Sequence, residues 1–279
     1  LPVVVAGDGA GDGAEVGGDA VLVIGRSPTE VAAALTIATD RPDVEIVRAY
    51  HVLWELVQVA LEHPGLVGDQ PSAGGDTTGF LYPFLDAAEH DESGLGVDMN
   101  ASAEAKRLES ERVGADALER NGPAIQAAVA AMLAAIDGGG RILTMGNGGS
   151  ATDAARLARQ LRAIGVPVEP LAADYAVLTA LANDIGVDQV FARQVEAFGR
   201  AGDVLIGCST SGTSPNLLAA FERAASDGLT TIGLSGYGGE SFANQSCIDH
   251  SLAVCSPSVH RIQEAQAALM TEMVERLAG

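Results

Sequence analysis

Two short segments carry the residue types best suited to gripping an anion. One is Gly146-Asn147-Gly148-Gly149-Ser150; the other is Ser209-Thr210-Ser211-Gly212-Thr213-Ser214-Pro215. Glycines let backbone N–H groups approach an anion closely. The hydroxyls of the second segment can donate to phosphate oxygens. Each segment opens a helical stretch, whose N-terminus adds unpaired donors and a favourable dipole. Pro215 suits a first helical turn, where its missing N–H costs nothing. Either segment alone could be an ordinary Gly/Ser turn with an N-cap. Both at strand ends of one sheet point to phosphate. No Gly-Lys-Ser follows, so the pattern is not that of a P-loop.

Other chemistry is thinner. His260 and Glu264 flank Gln263 and are the candidates for proton transfer. The competing reading is a capping or surface His and a buried, paired Glu. Arg156 and Arg159 bring positive charge near the predicted pocket. They either form solvated pairs with acids such as Asp153, or Arg156 grips a more anionic ligand in bidentate fashion. His51, His63, His90 and His250 have no ligand spacing. Cys208, Cys247 and Cys255 are odd in number and scattered, which favours a reducing cytoplasm over a disulfide framework. No Cys/His cluster has zinc-site spacing, so neither metal nor cofactor is expected.

These residues need a sheet to position them. Strand signals occur at residues 141–145, 166–171, 203–208, 230–234 and 251–255, with helical stretches between them and a last helix over about 261–277. The alternation predicts an α/β fold, a doubly wound five-stranded parallel sheet flanked by helices. Its ligand crevice should lie at the carboxyl ends of the strands. Ahead of it, helical character dominates to Asp137, with Ile125, Val129, Met132, Leu133 and Ile136 as an apolar stripe. Residues 65–97 are rich in Pro, Gly and Asp and read as a linker. Residues 1–64 form a small, mostly-β N-terminal module. Its strands are expected at 2–6, 20–24 and 45–49, with a Gly/Asp-rich loop over 7–18 and an amphipathic helix over 50–61.

Composition narrows the function classes. The 279 residues carry 37 acidic and 16 basic side chains, a net charge of -21. Such a surplus repels phosphate backbones, so nucleic acid is not an expected partner. No basic patch suits a membrane surface, and the apolar run from Ala124 to Ile136 is too short to span one. The opening Leu1-Pro2 has no basic n-region, so no signal peptide is expected. The localisation that follows is cytoplasmic.

The ordered set Gly146–Ser150, Ala182-Asn183-Asp184, Val190–Glu196, Gly202–Ile206, Ser209–Ser214 and Arg261-Ile262-Gln263-Glu264 resembles the SIS (sugar isomerase) family, on its phosphoheptose isomerase branch. The resemblance covers about residues 98–279. It implies a homotetramer with sites near subunit boundaries and a sugar phosphate ligand such as sedoheptulose 7-phosphate. By it, Asn147, Gly148, Gly149, Ser150, Ser209, Thr210, Ser211 and Ser214 hold the sugar phosphate, and Asp184 and Gln263 contact the sugar.

The same resemblance exposes departures. Aldose–ketose isomerisation needs a base at the carbon losing its proton and an acid at the carbonyl oxygen. The family places a His and a Glu where this chain has Arg156 and Gln160. It places a further His at the position of Thr271. An amide has no useful basicity, and a Thr hydroxyl is a very poor acid. The resemblance therefore implies weak or absent isomerase activity, with Glu264 and His260 as the available substitutes. Zinc-binding members use the replaced positions, so it also implies no metal. A non-enzymatic branch, the DnaA-initiator-associating proteins, is similar in lacking this catalytic set.

Residues 20–35 and 42–47 resemble the small β-barrel chaperones of hydrogenase maturation, although the functional N-terminal Cys of that family is missing from this sequence. The alternative is a docking module for a protein partner, anchored by Leu53, Trp54 and Leu56. Three functions remain in competition: a phosphosugar-binding protein of weak turnover, an active isomerase with substitute residues, and an oligomeric scaffold or maturation accessory.

Overall fold

The computed structural model describes the backbone of residues 3–7, 20–24, 33–37, 47–48, 50–52, 54–55 and 92–279, with side chains at 47–55 within that set and from 104 onward. The chain divides into two compact units, Leu1–Arg107 and Leu108–Gly279. The first contains an antiparallel meander of β1 (Val3–Gly7), β2 (Ala20–Ile24) and β3 (Ala33–Ile37). Val3 pairs with Ile24, and Ala20 with Ile37. β3 has no counterpart among the sequence-based strands, because its Ala-rich run shows no apolar–polar alternation.

The strand expected at 45–49 is not formed at its described positions: Val47 and Arg48 are helical. Burial there follows a helical period, with His51 and Glu55 inside and Tyr50 and Trp54 exposed. Glu55 accepts an ion pair from Lys106 Nζ at 2.8 Å, which offsets the cost of burying its charge. Trp54 is exposed, while Leu53, Leu56, the 7–18 loop beyond Gly7 and most of the 65–97 segment lie outside the described residues. Helix α1 (Glu92–Asp137) already begins inside that segment.

The second unit is built on five parallel strands: β4 (Ile142–Gly146), β5 (Val168–Pro170), β6 (Val204–Cys208), β7 (Thr230–Ser235) and β8 (His250–Ala253). Their order is β5-β4-β6-β7-β8. Between them run α2 (Gly149–Ala163), α3 (Tyr175–Ile185), α4 (Val190–Phe198), α5 (Pro215–Ser226) and the single turn α6 (Glu240–Ala243). Helix α7 (Val259–Ala278) closes the chain.

Strand alternation sends apolar side chains to two separate cores. Ile142, Val204, Ile206 and Cys208 pack with Val113, Ile125 and Met132 of α1, Leu157 and Leu161 of α2, and Leu269, Met270 and Met273 of α7. Leu143, Met145 and Leu205 face the opposite way, onto Phe191 and Val195 of α4 and Leu217 and Phe221 of α5. With both faces covered, β4 and β6 are buried along their whole length. On α1 the expected stripe holds for Ile125, Val129 and Met132, but Leu133 is exposed. It lies about 100° around the helix from Met132. Among the described residues, no helix is long and apolar enough to cross a membrane.

Candidate anion-binding site

The register of the sheet decides where the two glycine- and hydroxyl-rich turns meet. β4 and β6 are hydrogen-bonded neighbours, and Gly146 is directly opposite Cys208. The turn after β4 and the turn after β6 therefore leave the same edge side by side. An amide pair joins them. Asn147 Nδ2 donates to Asn216 Oδ1, and Asn216 Nδ2 donates to Asn147 Oδ1, both at 2.9 Å. Asn216 stands in the first turn of α5, and sequence reasoning missed it; an Asn immediately after the Pro215 helix start was the only available signal.

Close packing explains the glycines. A Cβ on Gly146 would lie 2.3 Å from the Ser150 carbonyl oxygen, and one on Gly149 would lie 2.3 Å from Gln263 Nε2. Gln263 of α7 is thereby placed against the first turn, where its Nε2 also donates to Asp153 Oδ2 at 3.3 Å. Gly148 and Gly212 hold φ of 53° and 69°, a region in which glycine is at ease.

The second turn is organised by its own hydroxyls. Ser209 is 5% exposed, and its Oγ accepts from Gly212 N at 2.9 Å. Ser211 Oγ accepts from Thr213 N at 3.3 Å and from Thr213 Oγ1 at 3.1 Å. Ser209 thus shapes the turn from beneath, while Thr210, Ser211 and Ser214 are half-buried at its rim.

The helix termini behave in two ways. α3 is capped by Asp174, which accepts from Ala176 N and Val177 N, and α7 by Ser258, which accepts from Arg261 N. α2 and α5, the helices that open from the two turns, have no side-chain cap, and neither do α4 and α6. The N-terminal dipoles and first-turn N–H groups of α2 and α5 converge on one sheet edge with no side-chain cap, an arrangement that suits an anion.

A cavity of about 730 Å³ adjoins this edge, lined by Asn147, Gly148, Thr152, Tyr175, Phe191 and Asn216 among others. Asp184 does not line it; this carboxylate sits at the exposed end of α3, accepting from Asn183 Nδ2 at 2.9 Å. Ser150 is buried at the start of α2.

The candidate proton-transfer residues are placed apart from that cavity. Glu264 is 1% exposed and 3.3 Å from Arg261 Nε, itself 2% exposed. This is the buried, paired carboxylate of the competing reading. His260 is half-buried in the first turn of α7. Arg156 is buried rather than solvated. Burial pushes the Cys208 thiol well above its ordinary range, with Asp153 raising it further and Arg156 pulling it back. Thr271 and Gln160 are partly buried. Among the described residues, no three His, Cys, Asp or Glu side chains converge as a metal site would require.

Known proteins with this pattern are consistent with one another. A sequence model of the SIS domain matches residues 109–236. Phosphoheptose isomerase of Burkholderia pseudomallei is 42% identical over 177 residues, which is 61% of this chain and 87% of that protein. The Roseiflexus enzyme of the same name is 39% identical over 168 residues, 57% of this chain and 84% of its own length. The solved phosphoheptose isomerase GmhA from Neisseria gonorrhoeae superposes with a TM-score of 0.61 at 35% identity, covering 64% of this chain and 98% of that one.

Proposed function

Because the chain belongs to the phosphoheptose isomerase family of SIS-domain proteins, we propose that its second unit binds a ketose or aldose phosphate of the sedoheptulose 7-phosphate type. The phosphate sits between the uncapped starts of α2 and α5. The observation that carries this reading is the Asn147–Asn216 amide pair, which holds the two turns together at one edge. The sugar extends from there along the cavity walled by Tyr175 and Phe191.

Conversion to D-glycero-D-manno-heptose 7-phosphate is proposed to be slow. The positions at which family resemblance places acid–base groups hold Arg156, Gln160 and Thr271. Each such group is worth about 10²- to 10⁴-fold in rate. A second reading, an isomerase that uses Glu264 with His260, is supported by the survival of the Arg261–Glu264 motif. The burial and ion pairing of Glu264 favour a structural role instead.

Titration calorimetry with sedoheptulose 7-phosphate tests the binding reading. Ser211→Ala combined with Ser214→Ala is expected to cost about 1–3 kcal/mol for each charge-assisted hydrogen bond lost. Undiminished affinity in that variant, or no heat with the unmodified protein, would count against the site. Turnover measured on the same samples decides between the two catalytic readings.

What supports assembly is α3, an apolar helix with no fully buried residue, of which Leu178, Leu181 and Ala182 are only partly covered by the core. Tyr175 at the start of α3 is 79% exposed, and Ile185 at its end and Val187 just beyond are exposed as well. A homotetramer covering that helix is proposed. Residues 1–64 are proposed as a separate module that recruits a protein partner.

A further inference from the structure

Three backbone N–H groups of the second turn, those of Thr210, Ser211 and Ser214, meet no acceptor among the described residues. Something must point them outward together. A trans peptide is planar, so its N–H is directed opposite to its C=O. Fixing the carbonyl of one residue therefore aims the N–H of the next. The Ser209 carbonyl accepts from Gln266 Nε2 of α7 at 2.8 Å. The Thr210 carbonyl accepts from Gly236 N, just past β7, at 2.9 Å. Two successive carbonyls are thus drawn into the protein, and the N–H groups of Thr210 and Ser211 are turned the other way.

Of the two anchors, Gln266 is the one made by a side chain. It is 0% exposed, and its Oε1 has no hydrogen-bond partner among the described residues. A buried amide with an orphaned oxygen is costly. Stability alone is better served by an apolar side chain in that place, so the donated hydrogen bond is the feature that the residue supplies. Gln266 also lies three residues after Gln263, on neighbouring positions of one helix face. One turn of α7 therefore touches both anion turns: Gln263 packs on Gly149, and Gln266 holds Ser209.

We propose that Gln266 is a positioning residue for the anion turn: by holding the Ser209 carbonyl from α7, it aims the Thr210 and Ser211 amides at the phosphate of the ligand. This rests on the sugar-phosphate reading above.

The test uses the full chain, with inorganic phosphate and sedoheptulose 7-phosphate as probes. Gln266→Met keeps the length and volume but cannot donate. Gln266→Asn keeps the amide and withdraws it by one methylene, so it serves if the Met variant does not fold. Both are expected to weaken binding of either probe by about tenfold, the scale of one hydrogen bond to a charged ligand's cradle. Phosphate should shift the Thr210, Ser211 and Ser214 amide resonances of the unmodified protein, and those shifts should shrink in the variants. A lower melting temperature with unchanged affinity and unchanged amide shifts would show a merely structural glutamine and overturn the proposal. Absence of phosphate-induced shifts in the unmodified protein would instead overturn the site reading, and the proposal with it.

Discussion

Ser209 and Ser211 sit two residues apart in the same turn and differ in what they can offer a ligand. Ser209 spends its oxygen on Gly212 N, inside the fold, whereas Ser211 is at the rim. Glu264 raises the same issue of access. Its carboxylate is paired with Arg261 in the interior, so Glu264→Gln should destabilise by about 3–5 kcal/mol, because it removes the charge paired with a buried guanidinium. Chemical denaturation measures this. A variant that keeps full stability but loses turnover would restore Glu264 to the chemistry. Cys208 yields a pH effect of defined sign. Burial favours its neutral thiol in the folded state, while the unfolded thiol ionises above its ordinary value near 9.0. The folded state then binds more protons than the unfolded one, so stability is full below pH 9 and falls as pH rises beyond it. The slope is at most about 1.4 kcal/mol per pH unit. Urea unfolding at two alkaline pH values should show a shallower loss for Cys208→Ala than for the unmodified protein; equal slopes would refute the assignment.

At the level of elements, the β4–α2 connection is tight. Gly146 lets the chain reverse against Ser150, and the obstructing atom there is backbone, which cannot rotate away. Gly146→Ala should therefore cost more than about 3 kcal/mol, in the range of strain and overpacking. Thermal unfolding checks this, and a stable Ala variant would mean that the turn adopts another path. Gly149→Ala meets a side-chain end, Gln263 Nε2, and should be milder in stability. The outer strand is protected by a polar clamp: Asn121 of α1 donates to the Ala253 carbonyl and accepts from Ala253 N, each at 2.8 Å. That clamp occupies backbone groups that an edge strand would otherwise leave open to another chain.

For the molecule as a whole, the unit Leu108–Gly279 has both cores, the complete five-stranded sheet and the candidate anion site. α1 begins before it, so residues 92–279 form the natural fragment. That fragment should unfold in one cooperative transition and bind sedoheptulose 7-phosphate as the full chain does. Light scattering on the same sample reads its assembly, for which a tetramer is expected. A fragment that folds but loses the sugar phosphate would place an essential part of the site in the first unit.

The parallel sheet was legible along the chain, because buried strands between helices leave continuous apolar runs such as Ile142–Met145 and Val204–Cys208, and those runs are local. The sequence also marked out the two glycine- and hydroxyl-rich turns, since glycine, hydroxyl and helix-start signals are contiguous along the chain. What joins the two turns was set by the fold. The Asn147–Asn216 pair spans 69 residues, and the Gln266 bond to Ser209 spans 57. No local pattern records such contacts, because they arise from strand order and helix placement. Burial is decided at the same level: Glu264 and His260 look alike as proton carriers in the sequence, and packing alone puts one of them against Arg261 in the interior. The helical turn at Val47–Arg48 departs from the expected strand for a related reason. Short β-branched segments fit either period, and the face that becomes buried selects between them.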